Sequence, residues 1–415
     1  MTAAKKSGKL VRLAVIGPGG QATGTGCGRG MYLMQTALAF PGVEVTAVYD
    51  LIEDNVKQNV EYVRKVAGNT PAGYCKGADP YKDLLARDDV DAVVIAATAQ
   101  MHAKMAAEAL LAGKHVASEV PGGYNMDELW ELVEAKEKSG KRYVLLENYI
   151  YLRQNMMVLN MARKGVFGEP YVGECSYLHD CRSFAFHPDG RPTWREEWYR
   201  SMIGNTYSTH SLGPLAKWFG INDGDRLTES VSMMTEPRVM HEYAVNRFGP
   251  KSTQAKFKYK CGEFIRTMIQ TAKGGVITVD FDLASPRPME CYLMIQGNKG
   301  IYNSRYNGVA LGKNTGSWQN VGEYAAQYDH PCWKKYGEKA DKCGGSDFFT
   351  IREFLRSVRE DREPWLDVYD SCTWSAIFDV SRQSILKKGA VVEVPDFTRG
   401  KWKKADWRKN NIKPA

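Results

Sequence analysis

The stretch LVRLAVIGPGGQATGTGCGRG (10–30) decides the fold. It begins as a short apolar run and passes straight into a glycine cluster. A run this short between polar residues suits a strand buried on both faces. Gly17 permits a tight turn at the strand end. Gly19 lets the backbone approach a pyrophosphate, whose charge then rests on amides at a helix N-terminus. The spacing is a stretched form of G-x-G-x-x-G. Gly17, Gly19 and Ala22 give one frame; Gly28 and Gly30 give a second after inserted residues. Gly20 and Arg29 belong to the same loop.

The runs that follow repeat the pattern. VEVTAVYD (43–50) ends in Asp50, DAVVIAAT (91–98) ends in Thr98, and KHVASEVP (114–121) and KRYVLLEN (141–148) come after. Helical periodicity fills 53–67, 101–112 and 126–139. Short buried runs alternating with helices predict βαβ units and a parallel sheet. Asp50, about 30 residues past the glycines, is placed to accept hydrogen bonds from an adenosine ribose. A carboxylate there repels a 2′-phosphate, so NAD is favoured over NADP.

From about residue 150 the pattern changes. A helix over 152–164 leads to a strand in GVFGEPYVGECSYLHD. An aromatic and arginine-rich loop follows (RSFAFHPDGRPTWREEWYR). Strands are then expected at LTESVSMM, QAKFKY, FIRTMIQT, GVITVDFDL, ECYLMIQG and GIYNS. Strands grouped this way predict an antiparallel or mixed sheet. Two closing helices end the chain, with Ser346 and Asp347 able to cap the first. The expected architecture is α/β: a Rossmann dinucleotide-binding domain over 1–148, then an α+β domain over 149–415 with an open-faced, largely antiparallel sheet. The closing helices can pack back on the first domain.

The stretch GNTYSTHSLGP (204–214) carries chemistry. Tyr207 and His210 are three residues apart ahead of a helical run, so a phenol and an imidazole are expected on one helix face. Such a pair is either a satisfied buried pair or a piece of active site.

Composition narrows the function classes. The net charge is +8, much of it in the tail RGKWKKADWRKNNIKPA, read as a solvated segment or else a contact for an acidic partner. No zinc finger, basic helix or RNA-binding signature accompanies it, which argues against nucleic acid. The nine cysteines include no CxxC, so neither a disulfide scaffold nor a metal site is expected. Mostly free thiols suit a reducing compartment. No signal-peptide core or membrane-length apolar run is present, so the sequence reads as cytoplasmic, or exported if a signal was removed.

The segments SEVP, VLLENY, NMARKGVFGE, SYLHDCR, GNTYSTHSLGP, INDGDR, SPRP, QGNKG, YDHPCWKK, GGSDFF and PDFTRG together resemble the Gfo/Idh/MocA superfamily. Within it, the chain is most similar to glycoside hydrolase family 109, whose members include NAD-dependent α-N-acetylgalactosaminidases. The resemblance implies a catalytic pair, Tyr177 and His210, and sugar contacts from Glu147, Arg195 and Tyr207. It implies NAD contacts from Gly17, Gly19, Gly20, Gly28, Arg29, Asp50, Thr98, His102 and Glu119, with structural roles equally open for His102 and Glu119. It also implies a small-molecule or glycan substrate and a homo-oligomer. Histidine is a residue type that serves as acid or base, so His210 is a candidate for either role. Tyr177 needs a lowered pKa to act as base, which Arg195 or Arg182 could provide. His179 shares the strand face of Tyr177 and Asp180 falls on the other; neither is assigned a role.

Three departures shape the reading. Superfamily dehydrogenases usually carry Glu-Lys-Pro where this chain has Glu119-Val120-Pro121, and Asp where it has Thr206. Valine relays no proton, so a simple alcohol dehydrogenase is disfavoured. The family's sugar-contacting tyrosine after SPRP is Met289 here. The expected function is an NAD-dependent glycoside hydrolase, α-N-acetylgalactosaminidase-like, acting by transient C3 oxidation. The alternatives are a sugar 3-dehydrogenase and a non-catalytic, NAD-bound sugar-binding protein.

Overall fold

The computed structural model describes residues 9–20, 28–75 and 79–414; Ala22 and Cys27 lie outside them. The first half builds β1 (Val11–Ile16), α1 (Arg29–Leu38), β2 (Val43–Tyr49), α2 (Glu53–Ala67), β3 (Ala72–Tyr74), α3 (Pro80–Leu85), β4 (Ala92–Ile95), α4 (His102–Leu111), β5 (His115–Ser118), α5 (Met126–Ser139) and β6 (Tyr143–Leu145). Among the described residues these strands form one parallel sheet in the order β3-β2-β1-β4-β5-β6. Leu13, Val15, Val93, Val94 and Val116 are fully buried, as strands covered on both faces require. Local signals set the helix ends. The Asn125 side chain accepts from the amides of Asp127 and Glu128 at the start of α5, and Gly140 closes it in the left-handed region.

The second half continues with α6 (Arg153–Arg163), β7 (Pro170–Leu178), α7 (Glu196–Ser201), α8 (Thr209–Phe219), β8 (Leu227–Met234), α9 (Val239–Phe248), β9 (Phe264–Thr271) and β10 (Val276–Asp282). Then come β11 (Leu293–Gly297), β12 (Gly300–Asn303), β13 (Gly308–Leu311), β14 (Asn314–Asn320), α10 (Ala325–Tyr328), α11 (Pro331–Lys342), α12 (Ser346–Glu360), α13 (Val368–Ser375), α14 (Ile377–Leu386) and β15 (Val392–Glu393). The second sheet runs β14-β13-β12-β11-β7-β10-β9-β8-β15. Only β7 and β10 pair in parallel among the described residues; the other neighbours are antiparallel. Helices α8 and α14 cover one face. The other face is open, with Tyr171, Met233, Met268 and Val276 exposed. Gly173 lets α8 lie close on β7: a Cβ there would fall 2.9 Å from the Phe219 ring and 3.0 Å from Leu215.

Helix α12 returns to the first sheet. Its Ile351, Phe354 and Leu355 share a buried cluster with Val11, Leu13, Val94, Ala117 and Val144.

Four expectations are corrected. QAKFKY is not a strand: Gln254–Lys256 is a short 3-10 turn. Phe257 and Tyr259 do point inward, onto an aromatic cluster, but Lys260 and Cys261 donate to the Tyr199 carbonyl rather than to a ladder. Tyr207 precedes α8 instead of riding on it. Helix α12 is capped by Gly345, because the Asp347 carboxylate is drawn to Arg29. The basic tail is not simply solvated: Arg408, Asn411 and Ile412 are buried. Arg408 fills the space between the buried carboxylates Asp367 and Asp370, at 2.7 and 3.0 Å. Two carboxylates buried together require a cation, and the tail brings one.

Candidate active site

The glycine loop closes on itself. The chain leaves at Gly20 and returns at Gly28, where a Cβ would fall 2.6 Å from Gly19 Cα and 2.3 Å from the Pro18 carbonyl. Only bare backbone fits, and α1 starts at the next residue. Asp50 ends β2 and accepts from the Gly19 amide at 2.9 Å, from Ile52 at 2.9 Å and from Asn55 Nδ2 at 3.1 Å. A buried acid, a side-chain-free turn and a helix N-terminus therefore stand together at the carboxyl edge of the parallel sheet. That edge is where dinucleotides bind in this fold, and the residues fit the diphosphate and ribose of a nicotinamide dinucleotide.

Thr98, Glu119 and Glu147 follow β4, β5 and β6 along the same edge. Glu119 and Asp347 share Arg29, whose guanidinium lies 2.7 and 2.6 Å from them. Arg29 thus ties α1 to the β5 loop and to α12. His102 is buried, with Nδ1 2.8 Å from the Pro121 carbonyl and Nε2 3.0 Å from that of Ala97. Burial lowers its pKa. It bridges the loops after β4 and β5.

The reacting end is built on Glu147. This carboxylate has no exposed surface. Its Oε1 accepts from His210 Nδ1 at 2.8 Å and from the Tyr149 amide at 3.0 Å. With Nδ1 carrying the hydrogen, the lone pair of the neutral ring is on Nε2, the polarity of a base. Oε2 of Glu147 has no hydrogen-bond partner among the described residues. Leaving such an atom dry costs about 1–3 kcal/mol, the kind of cost a polar ligand relieves.

Three tyrosines ring the imidazole. Tyr149 stacks on it at 4.2 Å, Tyr207 meets it edge-on at 4.9 Å and Tyr177 lies at 5.2 Å. Tyr177 meets Tyr149 edge-on with ring centres 5.9 Å apart, and burial pushes Tyr149 up to about 12. Tyr177 is also raised, by burial first and then by Tyr207 and Tyr149. The expected lowering by an arginine is therefore absent. Arg182 is held by both oxygens of Asp180, at 2.8 and 2.7 Å. Arg195 lies over Trp194 at 4.8 Å, and over Phe184 and Trp198 at 5.5 Å each. Its guanidinium pairs with no carboxylate among the described residues, so it remains available to a ligand.

The structure brings together Glu147, Tyr177, Tyr207 and His210, with Arg195 on the neighbouring aromatic wall. Sequence reasoning missed Tyr149. Its signal was an aromatic residue two positions after a strand-end glutamate. The pairing of Glu147 with His210, 63 residues away, had none. Val120 and Thr206 are buried, and neither supplies a lysine or aspartate equivalent. Met289 is exposed on the loop that meets Leu178 through Glu290, at the end of β7. The eight described cysteines are free, and no cluster of three metal-ligating side chains occurs among the described residues. No helix among them is long and apolar enough to cross a membrane.

Comparison with known proteins bears on the fold and the family. Residues 11–147 match the oxidoreductase family, NAD-binding Rossmann fold. Two solved structures share the fold. One is levoglucosan dehydrogenase in complex with NADH and levoglucosan (TM-score 0.69, 17% identity, 93% of this chain and 100% of that one). The other is an oxidoreductase domain protein from Kribbella flavida (TM-score 0.69, 15% identity, 93% and 100%). Fold and site define a Rossmann-type, nicotinamide dinucleotide-binding protein with a second, mixed sheet.

Residues 151–404 match glycosyl hydrolase 109, C-terminal domain. A glycosyl hydrolase family 109 protein of Solibacter usitatus is 36% identical over 96% of this chain and 90% of its own length. One of Saccharopolyspora erythraea is 35% identical over 100% and 89%. The chain belongs to glycosyl hydrolase family 109, a family of NAD-dependent glycosidases.

Proposed function

We propose that the protein cleaves a terminal sugar, in the manner of an α-N-acetylgalactosaminidase, through a transient ketone at C3 and without net redox. The observation that carries this is the His210 site: an imidazole backed by a buried carboxylate and ringed by three phenols, beside a dinucleotide edge. Most glycosidases place two carboxylates across the scissile bond, and NAD-dependent families are the exception. Glu147 spends one oxygen on His210, so it serves proton transfer rather than half of a carboxylate pair.

Gly17, Gly19, Gly20 and Gly28 would hold the diphosphate and Asp50 the ribose. Thr98 and Glu119 would border the nicotinamide half, with Arg29 and His102 fixing the loops behind them. When bound oxidised, NAD supplies a reversible hydride acceptor for C3 and a positively charged ring. His210 Nε2 is the acceptor for the O3 proton. The ketone acidifies C2, since the carbanion is delocalised. Tyr177 handles the C2 proton: burial favours its protonated form, and positive charge entering the site lowers a buried phenol. The C1 substituent is then eliminated, water adds at C1, and the earlier steps reverse. Arg195 and Tyr207 orient sugar hydroxyls or an amide oxygen.

Nitrophenyl glycosides of both anomers, with and without added NAD, test this by NMR in D₂O. Free sugar labelled at C2 with no accumulated NADH is expected. Accumulated NADH with a 3-keto sugar identifies a net dehydrogenase, and sugar binding without label at C2 identifies a non-catalytic protein. Asp50→Ala is expected to weaken NAD relative to NADP, read as a ratio of dissociation constants. An unchanged ratio removes Asp50 from the ribose site.

A further inference from the structure

A glycoside continues past the oxygen on C1, and the chemistry proposed above engages only its terminal sugar. That chemistry also uses only Arg195 of the long loop RSFAFHPDGRPTWREEWYR (182–200). The loop closes as a small hairpin. Phe186 bridges Pro192, the His187 amide donates to the Arg191 carbonyl at 2.8 Å, and the Thr193 amide donates to that of Ala185 at 2.9 Å. This register sets Phe184 opposite Trp194 on the two arms. The Thr193 hydroxyl donates to the Phe184 carbonyl at 2.6 Å and fixes the arms there.

Both rings face solvent, Trp194 with 37% and Phe184 with 40% of its surface exposed. The Arg195 guanidinium lies over both. Trp198 holds the Trp194 indole from the protein side, edge-on at 4.9 Å. Trp198 in turn is 5.9 Å from Tyr207, and Tyr207 is 4.9 Å from His210. An unbroken run of rings therefore leads from the reacting imidazole to an exposed indole. Arg195 links the two ends by charge as well: Tyr207 is raised, by burial first, and Arg195 opposes the rise.

We propose that Phe184, Trp194 and Arg195 form a subsite for the second sugar, the one to which the terminal sugar is linked through its C1 oxygen. This rests on the reading that the His210 site holds the terminal sugar. A pyranose ring is amphipathic: its C–H groups make an apolar face, and hydroxyls line its edge. The apolar face matches an exposed indole or phenyl ring, whose negative face attracts the slightly positive C–H hydrogens. The hydroxyl edge matches a guanidinium that offers forked donors and pairs with no carboxylate among the described residues. A peptide aglycone would use an open strand edge to pair with. Here the two arms that carry the rings are spent on each other.

The test uses two probes: methyl α-N-acetylgalactosaminide, which stops just past the C1 oxygen, and N-acetylgalactosaminyl-α-1,3-galactose, which carries a second sugar. If the panel above singles out another sugar, the same pair is built on that one. In holoenzyme carrying Trp194→Ala, kcat/KM for the disaccharide is expected to fall about tenfold, through KM, while that for the methyl glycoside changes less than about twofold. Phe184→Ala should show the same split, and Trp194→Phe should keep most of the wild-type preference. In holoprotein slowed by His210→Ala, NMR saturation transfer should reach the ring protons of the galactose, and the signal should be lost when Trp194→Ala is added. Unchanged NAD affinity and melting temperature show that the variants are folded. Equal losses on both probes, as expected if Trp194 only props Trp198, overturn the assignment, and so does an undiminished response to the disaccharide. Loss confined to a threonine-linked glycopeptide makes the platform a peptide site and overturns it too. If wild-type protein places no label at C2, the C3-ketone reading fails, while the saturation contrast still decides whether the second sugar lies on Trp194.

Discussion

Replacing His210 with alanine is expected to lower turnover about 10²–10⁴-fold, the usual scale for loss of a positioned acid or base, and to leave NAD binding nearly intact. The two effects separate because the structure separates their causes. The cofactor candidates sit on the loops after β1, β2, β4 and β5, whereas His210 enters from the first turn of α8. Its only hydrogen-bonded anchor among the described side chains is Glu147, itself fully buried. Removing the ring leaves that carboxylate with the Tyr149 amide alone. Tyr177→Phe is expected to cost a similar factor, since the proposed C2 step uses the phenol hydroxyl. Full turnover in either variant, measured beside unchanged NAD affinity, shows that the residue is not catalytic.

Arg408→Ala is expected to destabilise the protein by about 3–5 kcal/mol, the range for stranding buried charge by removing one partner. The guanidinium is almost wholly buried between Asp367 at 2.7 Å and Asp370 at 3.0 Å. Lys217, toward the far end of the helix whose first turn holds His210, also pairs with Asp370. In the variant, one lysine faces two buried carboxylates. Burial and Asp370 push Asp367 up, and Arg408 and Lys217 hold Asp370 down despite its burial. The variant loses the cation that keeps both ionised. Lys404→Ala, exposed on the same tail, is the control and should change stability by no more than about 0.5 kcal/mol. Equal denaturation midpoints for the two variants would falsify the buried-clamp account of the tail.

Much of the fold was legible before any coordinates. Helix Met126–Ser139 and strands Leu227–Met234 and Phe264–Thr271 fall where periodicity put them, because apolar spacing reports which side of an element meets the core. QAKFKY shows the limit of that signal. Alternation says that Phe257 and Tyr259 point inward, but not whether a neighbouring strand is there to pair with. The candidate site divides in the same way. Tyr177 and His210 were recognisable from their motifs. The protonation of Tyr177 was not, since it is raised first by burial and then by Tyr207 and Tyr149, which approach from other parts of the chain.

The linear order of residues determined the parallel sheet, the glycine turn and the acid at the end of β2. These depend on chemistry within a few positions, and glycine at 17 and 28 has no substitute where another backbone lies under 3 Å away. Only the tertiary structure decided that Glu147 serves His210 and that Arg29 locks Glu119 to Asp347. It alone decided that the basic tail neutralises buried aspartates. Each is a contact between groups whose partner depends on distance in space. Electrostatic and hydrogen-bond energies fall off over a few ångströms and take no account of separation along the chain.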